Sequence, residues 1–498
     1  MAAAGPEIVL AARSSDGISL TPGVEGSPSF LTKHNDCKCM TFSQAGDILA
    51  WCDGTNVLVH QVSTGVKLCE IPRPRTVDLV LSPRQTYIAL WENYAVRDDK
   101  GEDNFTVFRI KDGQLLTSCV AKAYSNWKPQ WTADERLFVR MTTNTLYCHP
   151  GDNPSAPPGE GVLRFAAFQP GKKGAPSAAR VYSEPNFQNP IANKSFYKAD
   201  KVDFYWNKSG SAVLVSTQTD TDTSGKSYYG ETNLYYINSR DGDSMTVSLD
   251  KGGPIHDCHW APNGKEFAVC FGVIPSKVCL FNHRCDVIKD YGTGPRNFLR
   301  YSPHGNILCI AGFGNLQGDL EFWSREDHKL MTRAKAWDTT YFEWAPDSRH
   351  VITATTAPRL KVDNGYKIWH YAKGLVNEVK FDKELYQVQW QPAPEGKFPK
   401  RSLSPISDTA RKATESSAKK QVYRPPGARN RPAPPKLHDE PKAAADTANL
   451  SKTALKNAKK RAAKKKAAEE ATAAPAAAPA PTASASAAPE AQADTSKK

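Results

Sequence analysis

Four side chains that could bind a metal ion or transfer a proton lie next to one another at His256, Asp257, Cys258 and His259. Imidazole nitrogens, carboxylates and thiolates are the usual ligands of Zn²⁺, and the same groups act in acid-base catalysis. Three similar stretches do not keep these residue types, and the pairs that align with Cys258 and His259 are Leu299-Arg300, Phe342-Glu343 and Val388-Gln389. We therefore expect Cys258 to be a core residue and His259 to lie at an edge or in a loop, without a ligand or catalytic role.

Two other motifs could carry chemistry but lack the context that it requires. The segment GFGNLQGDLEFWS, from Gly312, is rich in glycine, yet phosphate-binding glycine loops lie between a strand and a helix. Here a β-rich run follows the glycines, which predicts a turn between strands. Cys37-x-Cys39 has no second Cys/His pair at zinc-finger spacing, and the sequence contains neither a nucleophile elbow nor a His-Glu-x-x-His motif. The sequence therefore predicts no enzyme, no metal site and no cofactor.

The stretch CHWAPNGKEFAV, from Cys258 to Val269, is one copy of a repeated unit. Each copy has an aromatic or apolar anchor, a turn of the Pro-x-Gly type and a β-rich apolar run, which predicts a strand, a turn and a second strand. The nine anchors are Phe42, Leu81, Trp131, Phe168, Trp206, Trp260, Tyr301, Trp344 and Trp390. They recur every 43.5 residues on average, which matches the ~40 to 45 residues of a four-stranded propeller blade.

The two ends of the repeat region are expected to complete one blade together. Trp390 is followed by Pro-rich sequence, whereas EIVLAARSSDGISLTPG, from Glu7, supplies two candidate strands and no anchor. Pairing these segments would close a ring and remove the exposed edges of an open sheet. The sequence thus predicts an all-β fold, a nine-bladed propeller of WD40 type over residues 1–396. Seven or eight blades are the alternative if a weak copy, such as that at Phe168, is not a blade.

Composition divides the chain near Gly396. All 11 Trp and all 11 Cys precede residue 391, so a folded core is expected before that point. Residues 397–498 contain 22 Lys and Arg against 9 Asp and Glu, and their net charge of +13 equals that of the whole chain. Such a segment favours polyanions such as nucleic acid or anionic lipid. With no signal-peptide pattern and no membrane-spanning apolar run, we expect a protein of the cytosol or nucleus with reduced thiols.

The cationic segment is expected to contain one helix. Residues 397–448 predict a disordered Pro-rich basic linker and residues 472–498 a disordered Ala/Pro-rich tail, because few apolar side chains offset the entropy of ordering. Residues 449–471 have high helix propensity and no apolar stripe, which predicts an exposed basic helix. The side chains expected to contact RNA phosphates are Lys456, Lys459, Lys460, Arg461, Lys464, Lys465 and Lys466. A nuclear localisation signal is the alternative, and a membrane-surface helix is disfavoured because its apolar face is missing.

Two loops of the predicted propeller combine cations with aromatic or apolar residues. They contain Arg296 in YGTGPRNF and Arg359 with Lys361 in APRLK. On one rim of a disc, such cations could bind phosphates while neighbouring rings stack on bases. We interpret Arg296, Arg359 and Lys361 as candidate RNA- or ribosome-binding residues, with solvated surface charge as the simpler alternative.

Several long motifs resemble one protein family. GFGNLQGDLEFW, TATTAPRLKVDNGYKIWHY from Thr353 to Tyr371, YQVQWQP, DGISLTPG and YRPPGARN are similar to the eukaryotic translation initiation factor 2A family. The resemblance implies a nine-bladed propeller with a disordered basic C-terminal extension. It also implies binding of methionyl initiator tRNA to the small (40S) ribosomal subunit without GTP, in a codon-dependent manner and for selected mRNAs. It supplies no catalytic residue.

The same resemblance gives the partners that we expect. They are the small ribosomal subunit, initiator methionyl-tRNA, mRNA and, through the tail, other initiation factors, with the protein a cytoplasmic monomer that has no membrane contact. The alternative is a protein-interaction scaffold, either nuclear or similar to the propeller subunit of initiation factor 3, with a basic targeting tail. That propeller subunit normally has an RNA-recognition motif ahead of its propeller, whereas strands are expected here by Glu7. We therefore prefer the initiation-factor interpretation.

Overall fold

The fold consists of strands with one short helix. The structure is a computed structural model that describes residues 7–32, 37–124, 127–142, 145–150, 164–171, 175–184, 186–197, 199–220 and 230–418. These segments contain 36 strands and one helix, so the predicted all-β fold is confirmed. In chain order, the first three strands are β1 (Val9–Ser14), β2 (Gly17–Pro22) and β3 (Ser29–Thr32).

The next strands form three sheets and a small hairpin. Sheet 2 contains β4 (Cys39–Phe42), β5 (Ile48–Cys52), β6 (Asn56–Gln61) and β7 (Lys67–Pro72). Sheet 3 contains β8 (Thr76–Leu81), β9 (Tyr87–Glu92), β12 (Phe105–Arg109) and β13 (Leu115–Cys119), and the hairpin between β9 and β12 contains β10 (Val96–Arg97) and β11 (Lys100–Gly101). Sheet 4 has three strands in the described residues, β14 (Gln130–Trp131), β15 (Leu137–Thr142) and β16 (Thr145–Pro150).

Sheets 5 to 7 follow in the same order. Sheet 5 also has three described strands, β17 (Arg164–Gln169), β18 (Ser177–Ser183) and β19 (Ala192–Phe196). Sheet 6 contains β20 (Lys201–Trp206), β21 (Ala212–Gln218), β22 (Thr232–Asn238) and β23 (Ser244–Thr246). Sheet 7 contains β24 (Ile255–Trp260), β25 (Glu266–Phe271), β26 (Ser276–Asn282) and β27 (Val287–Gly294).

Two further sheets and the last strand complete the described β structure. Sheet 8 contains β28 (Phe298–Tyr301), β29 (Ile307–Gly312), β30 (Asp319–Ser324) and β31 (Leu330–Lys335). Sheet 9 contains β32 (Tyr341–Trp344), β33 (His350–Thr355), β34 (Gly365–His370) and β35 (Gly374–Lys380). The last strand is β36 (Leu385–Trp390), and the helix is α1 (Asp408–Ala418).

The chain ends of this β region share one sheet, sheet 1. Its strand order is β3-β2-β1-β36, and Leu10 of β1 pairs with Trp390 of β36 in antiparallel register. The predicted pairing of N-terminal strands with the last repeat is therefore present. This pairing covers one of the two edges of β36 and completes a four-stranded sheet, in which the N-terminal segment supplies the other three strands.

The turn after Trp260 shows how an anchor is followed by a reversal of the chain. After Trp260, the amide of Gly264 donates to the carbonyl of Ala261 at 2.8 Å, and the amide of Ala261 donates to the carbonyl of Glu266 at 2.9 Å. Gly264 has a φ of +67°, a conformation that glycine adopts without steric cost. The second strand therefore starts directly beside the end of the first, as the repeat predicted.

First strands lie next to each other in sheets 2 and 3, 6 and 7, and 7 and 8, and β32 of sheet 9 lies next to β36 of sheet 1, so these strands form inner edges. The indole N–H of Trp260 in sheet 7 donates to the carbonyl of Tyr205 in sheet 6 at 2.8 Å. Gln387 in sheet 1 donates through Nε2 to the carbonyl of Met40 in sheet 2 at 3.0 Å. The buried apolar clusters likewise lie between neighbouring sheets, as between sheets 6 and 7, 7 and 8, and 8 and 9. The core is thus a series of inter-sheet layers.

Residues 391–407, here called the strap, continue from β36 to α1 without regular secondary structure. The strap contacts four sheets. Gln391 donates to Gly46 O of sheet 2, and Glu395 pairs with Lys208 of sheet 6. Phe398 O lies 2.8 Å from His304 Nε2 of sheet 8, and the Ser404 amide donates to Tyr371 Oη of sheet 9. In α1, Thr414 Oγ1 accepts the Arg333 amide of edge strand β31 at 2.9 Å. Helix α1 therefore covers part of the open edge of sheet 8.

This segment corrects part of the sequence prediction. Residues 397–448 were expected to form a disordered linker, but residues 397–418 are packed against sheets 8 and 9. Leu403 joins the apolar cluster that contains Trp344, and Ala410 is 4% exposed. Ser407 caps α1, since its carbonyl accepts the Arg411 amide at 2.9 Å and its Oγ accepts the Ala410 amide at 3.2 Å. A few well-placed contacts thus order a segment of low overall hydrophobicity.

Helix α1 has 11 residues, whereas a membrane-spanning helix needs about 20. In the described part of the chain, no helix is long and apolar enough to cross a membrane.

Candidate nucleic-acid interface

The cluster from His256 to His259 lies on β24, and each of its polar side chains has a separate protein partner. Asp257 Oδ2 lies 2.8 Å from Arg300 NH1 and accepts the Leu299 amide at 2.8 Å. His256 Nε2 lies 2.8 Å from Gly272 O, and His259 Nδ1 lies 3.0 Å from Trp260 O.

Burial dominates the chemistry of the same cluster. It raises the pKa of the Cys258 thiol, which is 1% exposed, and lowers the pKa of His259. Among the residues that the structure describes, no group of three or more His, Cys, Asp or Glu side chains could hold a metal ion. The glycine-rich segment from Gly312 connects β29 to β30, so it is a turn between strands as expected.

The candidate anchors all lie at the ends of first strands. Trp260, Tyr301, Trp344 and Trp390 are at most 8% exposed, whereas Trp131 and Trp206 are half-buried. Phe168, the weakest copy, lies in β17. The repeat thus marks the inner strand of each sheet, and these residues contribute to packing between sheets.

Arg296 does not lie on a rim. Its side chain is buried, with NH2 donating to Glu321 Oε2 at 2.7 Å and NH1 donating to the carbonyl of Tyr291 at 3.0 Å. The preceding glycines belong to strand β27 rather than to a loop, which directs Arg296 between sheets 7 and 8. The prediction that Arg296 contacts RNA is therefore wrong, since a buried cation paired with a carboxylate is unavailable to phosphate.

Arg359 and Lys361 lie on the exposed loop between β33 and β34. Lys361 Nζ is 3.6 Å from Glu384 Oε1. A neighbouring cavity of about 300 Å³ is lined by Trp337, Thr353, Thr355, Lys367 and Lys380 together with Asp338, Asp363 and Glu378. The loop is accessible to a ligand, but carboxylates balance the cations around it.

A second cavity, of about 380 Å³, lies beneath the strap where inner strands end. Its lining includes Lys208, His304, Glu343, Trp344 and Trp390. Glu343 Oε2 accepts the Trp390 amide and the Tyr341 hydroxyl, each at 2.9 Å, and so joins sheet 9 to sheet 1. Removal from water raises the pKa of this carboxyl to about 7.

Glu343 should make stability depend on pH. Its pKa is raised in the folded state, so the folded chain binds the proton more tightly and loses stability as pH rises from about 4.5 through about 7. We expect Glu343→Gln to remove roughly 2–3 kcal/mol of this dependence between pH 5 and 8. Urea unfolding at both pH values measures it, with exposed Glu326→Gln as the control. Equal pH dependence in Glu343→Gln and the wild type would contradict this role.

The seven candidate cations of the tail lie outside the described residues, namely Lys456, Lys459, Lys460, Arg461, Lys464, Lys465 and Lys466. Their role is a proposal that rests on charge and composition. Of the ten predicted RNA-binding residues, the structure therefore places Arg359 and Lys361 on an accessible surface and Arg296 in the core.

Comparison with known proteins identifies the family. The family model of eukaryotic translation initiation factor eIF2A matches residues 194–388. Eukaryotic translation initiation factor 2A of Drosophila melanogaster is 35% identical over 466 residues, which cover 86% of this chain and 73% of that protein. The chain belongs to the eukaryotic translation initiation factor 2A family.

A solved structure of a eukaryotic initiation factor has a similar fold. A crystal structure described as that of the eukaryotic initiation factor matches with a TM-score of 0.69 and 34% identity, covering 78% of this chain and 100% of that one. An initiation factor 3 subunit from Xenopus laevis is 25% identical, covering 63% of this chain and 48% of that protein. The greater identity and coverage favour the factor 2A assignment over the initiation factor 3 alternative.

Sequence reasoning missed the cations of the strap in this factor 2A chain. They were assigned to a disordered linker because the segment has few apolar residues. Ser407 followed by a short polar helical stretch was the available signal for α1, and Leu403 was the available signal for docking.

Proposed function

We propose that this protein binds methionyl initiator tRNA and directs it to the small (40S) ribosomal subunit. Delivery is independent of GTP, depends on the start codon and serves selected mRNAs. Membership of the factor 2A family, with 35% identity over 86% of the chain to the fly protein, carries this proposal. The protein acts as a cytoplasmic, monomeric binding factor, without enzymatic activity or a cofactor.

We infer that the nine sheets are the nine blades of one closed propeller. Two observations support this inference: each buried cluster lies between consecutive sheets, and side-chain hydrogen bonds link sheet 1 to both sheet 9 and sheet 2. Such a ring provides a rigid platform, because each blade is packed on both sides. Arg359 and Lys361 are the accessible loop cations that we assign to RNA or ribosome contacts on this platform.

The basic extension supplies the second part of the proposed function. Residues 419–498 lie outside the described residues, and we assign to them the remainder of the predicted Pro-rich basic linker, the predicted basic helix (residues 449–471) and the predicted Ala/Pro-rich tail (residues 472–498). Each phosphate neutralised by a lysine releases a counterion, so this part favours RNA without reading its sequence. Discrimination of initiator tRNA is therefore assigned to the platform, and affinity mainly to the extension. Contacts with mRNA and other initiation factors are assigned to the extension as well.

Direct binding tests the proposed substrate. The full-length chain should retain methionyl initiator tRNA in a filter assay without GTP, and bind methionyl elongator tRNA at least ~10-fold more weakly, which corresponds to about 1.4 kcal/mol. Both tRNAs carry the same amino acid and a similar phosphate charge, so charge alone cannot separate them. Equal affinity for the two tRNAs would overturn the initiator assignment.

A further inference from the structure

Seven cationic side chains surround the strap and α1. They are Arg349, Lys373, Lys397, Lys400, Arg401, Arg411 and Lys412, and all are exposed except Arg349, which is half-buried. Within the described part of the chain, none of the seven forms an ion pair with a carboxylate. We call this set the strap surface.

Hydrogen bonds connect the chain segments that carry these residues. His304 Nε2 is 2.8 Å from the carbonyl of Phe398, which follows Lys397 in the strap. The His304 amide donates to Ser348 Oγ at 2.9 Å, and Ser348 precedes Arg349. The strap at Phe398 is therefore linked through His304 to the turn that precedes Arg349.

A second set of bonds connects Arg349 to α1. The amide of Tyr371 donates to the carbonyl of Arg349 at 3.1 Å. Ser407, the cap of α1, donates its amide to the carbonyl of Ala372 at 3.0 Å and its Oγ to the carbonyl of Lys373 at 3.4 Å. Lys373 thus lies beside the start of the helix that carries Arg411.

Few carboxylates oppose this charge. Glu395 is paired with Lys208 at 2.9 Å, and Asp347 lies 2.6 Å from His350 Nδ1. The exposed acids of α1 are Asp408 and Glu415. With seven cations against the carboxylates of Asp347, Asp408 and Glu415, the strap surface differs from the Arg359 loop, where acids balance bases.

The backbone beneath these cations is fixed by packing. Leu403 lies in the apolar cluster of sheets 8 and 9, and Ala410 is 4% exposed. Helix α1 and the edge of sheet 8 are joined through the Thr414 hydroxyl, which accepts the Arg333 amide. A surface held in this way loses less backbone entropy on binding than a free chain would.

We infer that the strap surface binds the phosphate backbone of RNA. The inference rests on the proposed tRNA-binding function and assigns a binding surface for it. In the described residues, none of the large exposed apolar side chains lies between residues 391 and 418. Membrane insertion and a protein interface both draw on such side chains, whereas a phosphate backbone needs accessible cations. An array of cations without apolar anchors therefore fits RNA best.

A charge-neutralising variant of the full-length chain tests this surface. The variant combines Lys397→Gln, Lys400→Gln and Arg401→Gln, and its control combines Lys100→Gln, Lys265→Gln and Arg284→Gln on other sheets. Both remove three exposed positive charges, two Lys and one Arg. The probe is a fluorescein-labelled transcript of initiator tRNA, titrated at several salt concentrations.

The strap variant should bind the transcript about 10-fold more weakly at ~0.15 M salt. The slope of log K against log salt should become shallower by about 2, since each lost phosphate contact removes ~0.7 to 0.9 from it. The control should change affinity less than about 2-fold, and both variants should unfold at the wild-type temperature because these side chains are exposed.

Three outcomes would overturn the inference. If the strap variant binds the transcript as tightly as its control does, the strap surface does not bind RNA. The proposed function still stands in that case if the wild-type chain binds the transcript. Loss of binding to vesicles of ~30% phosphatidylserine, with RNA affinity unchanged, would assign the surface to membranes. A wild-type chain without affinity for the transcript removes both proposals. As a second variant, Arg411→Gln with Lys412→Gln should weaken RNA binding in the same direction.

Discussion

Deleting residues 419–498 is expected to lower the affinity for initiator tRNA by about 100-fold or more at ~0.15 M salt, and to flatten its salt dependence. The deleted segment carries 17 Lys and Arg against 7 Asp and Glu. Seven of these cations fall between residues 456 and 466, so the loss of several phosphate contacts at once is expected. Every contact described above is made before residue 419, so the temperature of unfolding should not fall. Fluorescence anisotropy across a salt series measures both affinity and slope.

A shorter deletion provides the control for this experiment. Residues 472–498 contain two basic and two acidic residues, so removing them changes the length but not the net charge. That deletion should leave affinity and salt slope close to the wild type. If removal of residues 419–498 leaves both quantities unchanged as well, the extension does not hold the RNA.

The position of the cut matters because of the strap. A deletion from residue 397 would also remove Leu403, Ala410 and the helix that covers the edge of β31. Weaker RNA binding could then result from a damaged sheet 8 or from loss of the strap cations. Cutting after Ala418 separates the extension from both.

Replacing Trp260 with Ala should destabilise the protein by about 3–5 kcal/mol. The Trp260 side chain is 7% exposed and packs edge-on against Phe267 at a centroid distance of 5.2 Å. Its Nε1 donates to Tyr205 O across the interface between sheets 7 and 6. The substitution removes a large buried ring and a hydrogen bond between sheets 6 and 7. Urea unfolding measures the resulting loss of stability.

Three other substitutions serve as comparisons for the Trp260 result. Trp337→Ala makes the same change at a side chain that is 54% exposed, so it should cost less than about 1 kcal/mol. His259→Ala and Cys258→Ser should leave RNA binding nearly unchanged, because both side chains face protein partners. A Trp260→Ala protein as stable as the wild type would show that the repeat does not mark core anchors. Loss of RNA binding in a folded His259→Ala protein would reopen a functional role for the cluster.

The sequence revealed the repeated part of the fold because local signals agree there. An anchor such as Trp260, a turn with a positive φ at Gly264 and an alternating strand recur with one spacing, and each signal depends on neighbouring residues. The pairing of β1 with β36 could also be predicted, because the N-terminal segment has candidate strands but no anchor, whereas the anchor Trp390 is followed by no further strands. Even Phe168, in the weakest repeat, lies in a first strand.

Features that depend on contacts between residues distant in sequence could not be predicted from the sequence. Arg296 is buried because it meets Glu321, 25 residues later, and its preceding glycines are typical of a loop but form strand β27. The strap is ordered by Tyr371, His304 and the edge of sheet 8, none of which is near it in sequence. The candidate site could therefore be predicted as cationic, but not which cations are free to bind RNA.

Delivery of initiator tRNA to the small ribosomal subunit is the activity to measure first, because it is the core of the proposed function. Small ribosomal subunits, an AUG-containing mRNA and labelled methionyl initiator tRNA should be sedimented with and without the full-length protein, in the absence of GTP. We expect the protein to increase the label on the small subunit, and replacement of the AUG codon or deletion of residues 419–498 to remove most of this increase. Equal amounts of label with and without the protein would contradict the proposed function.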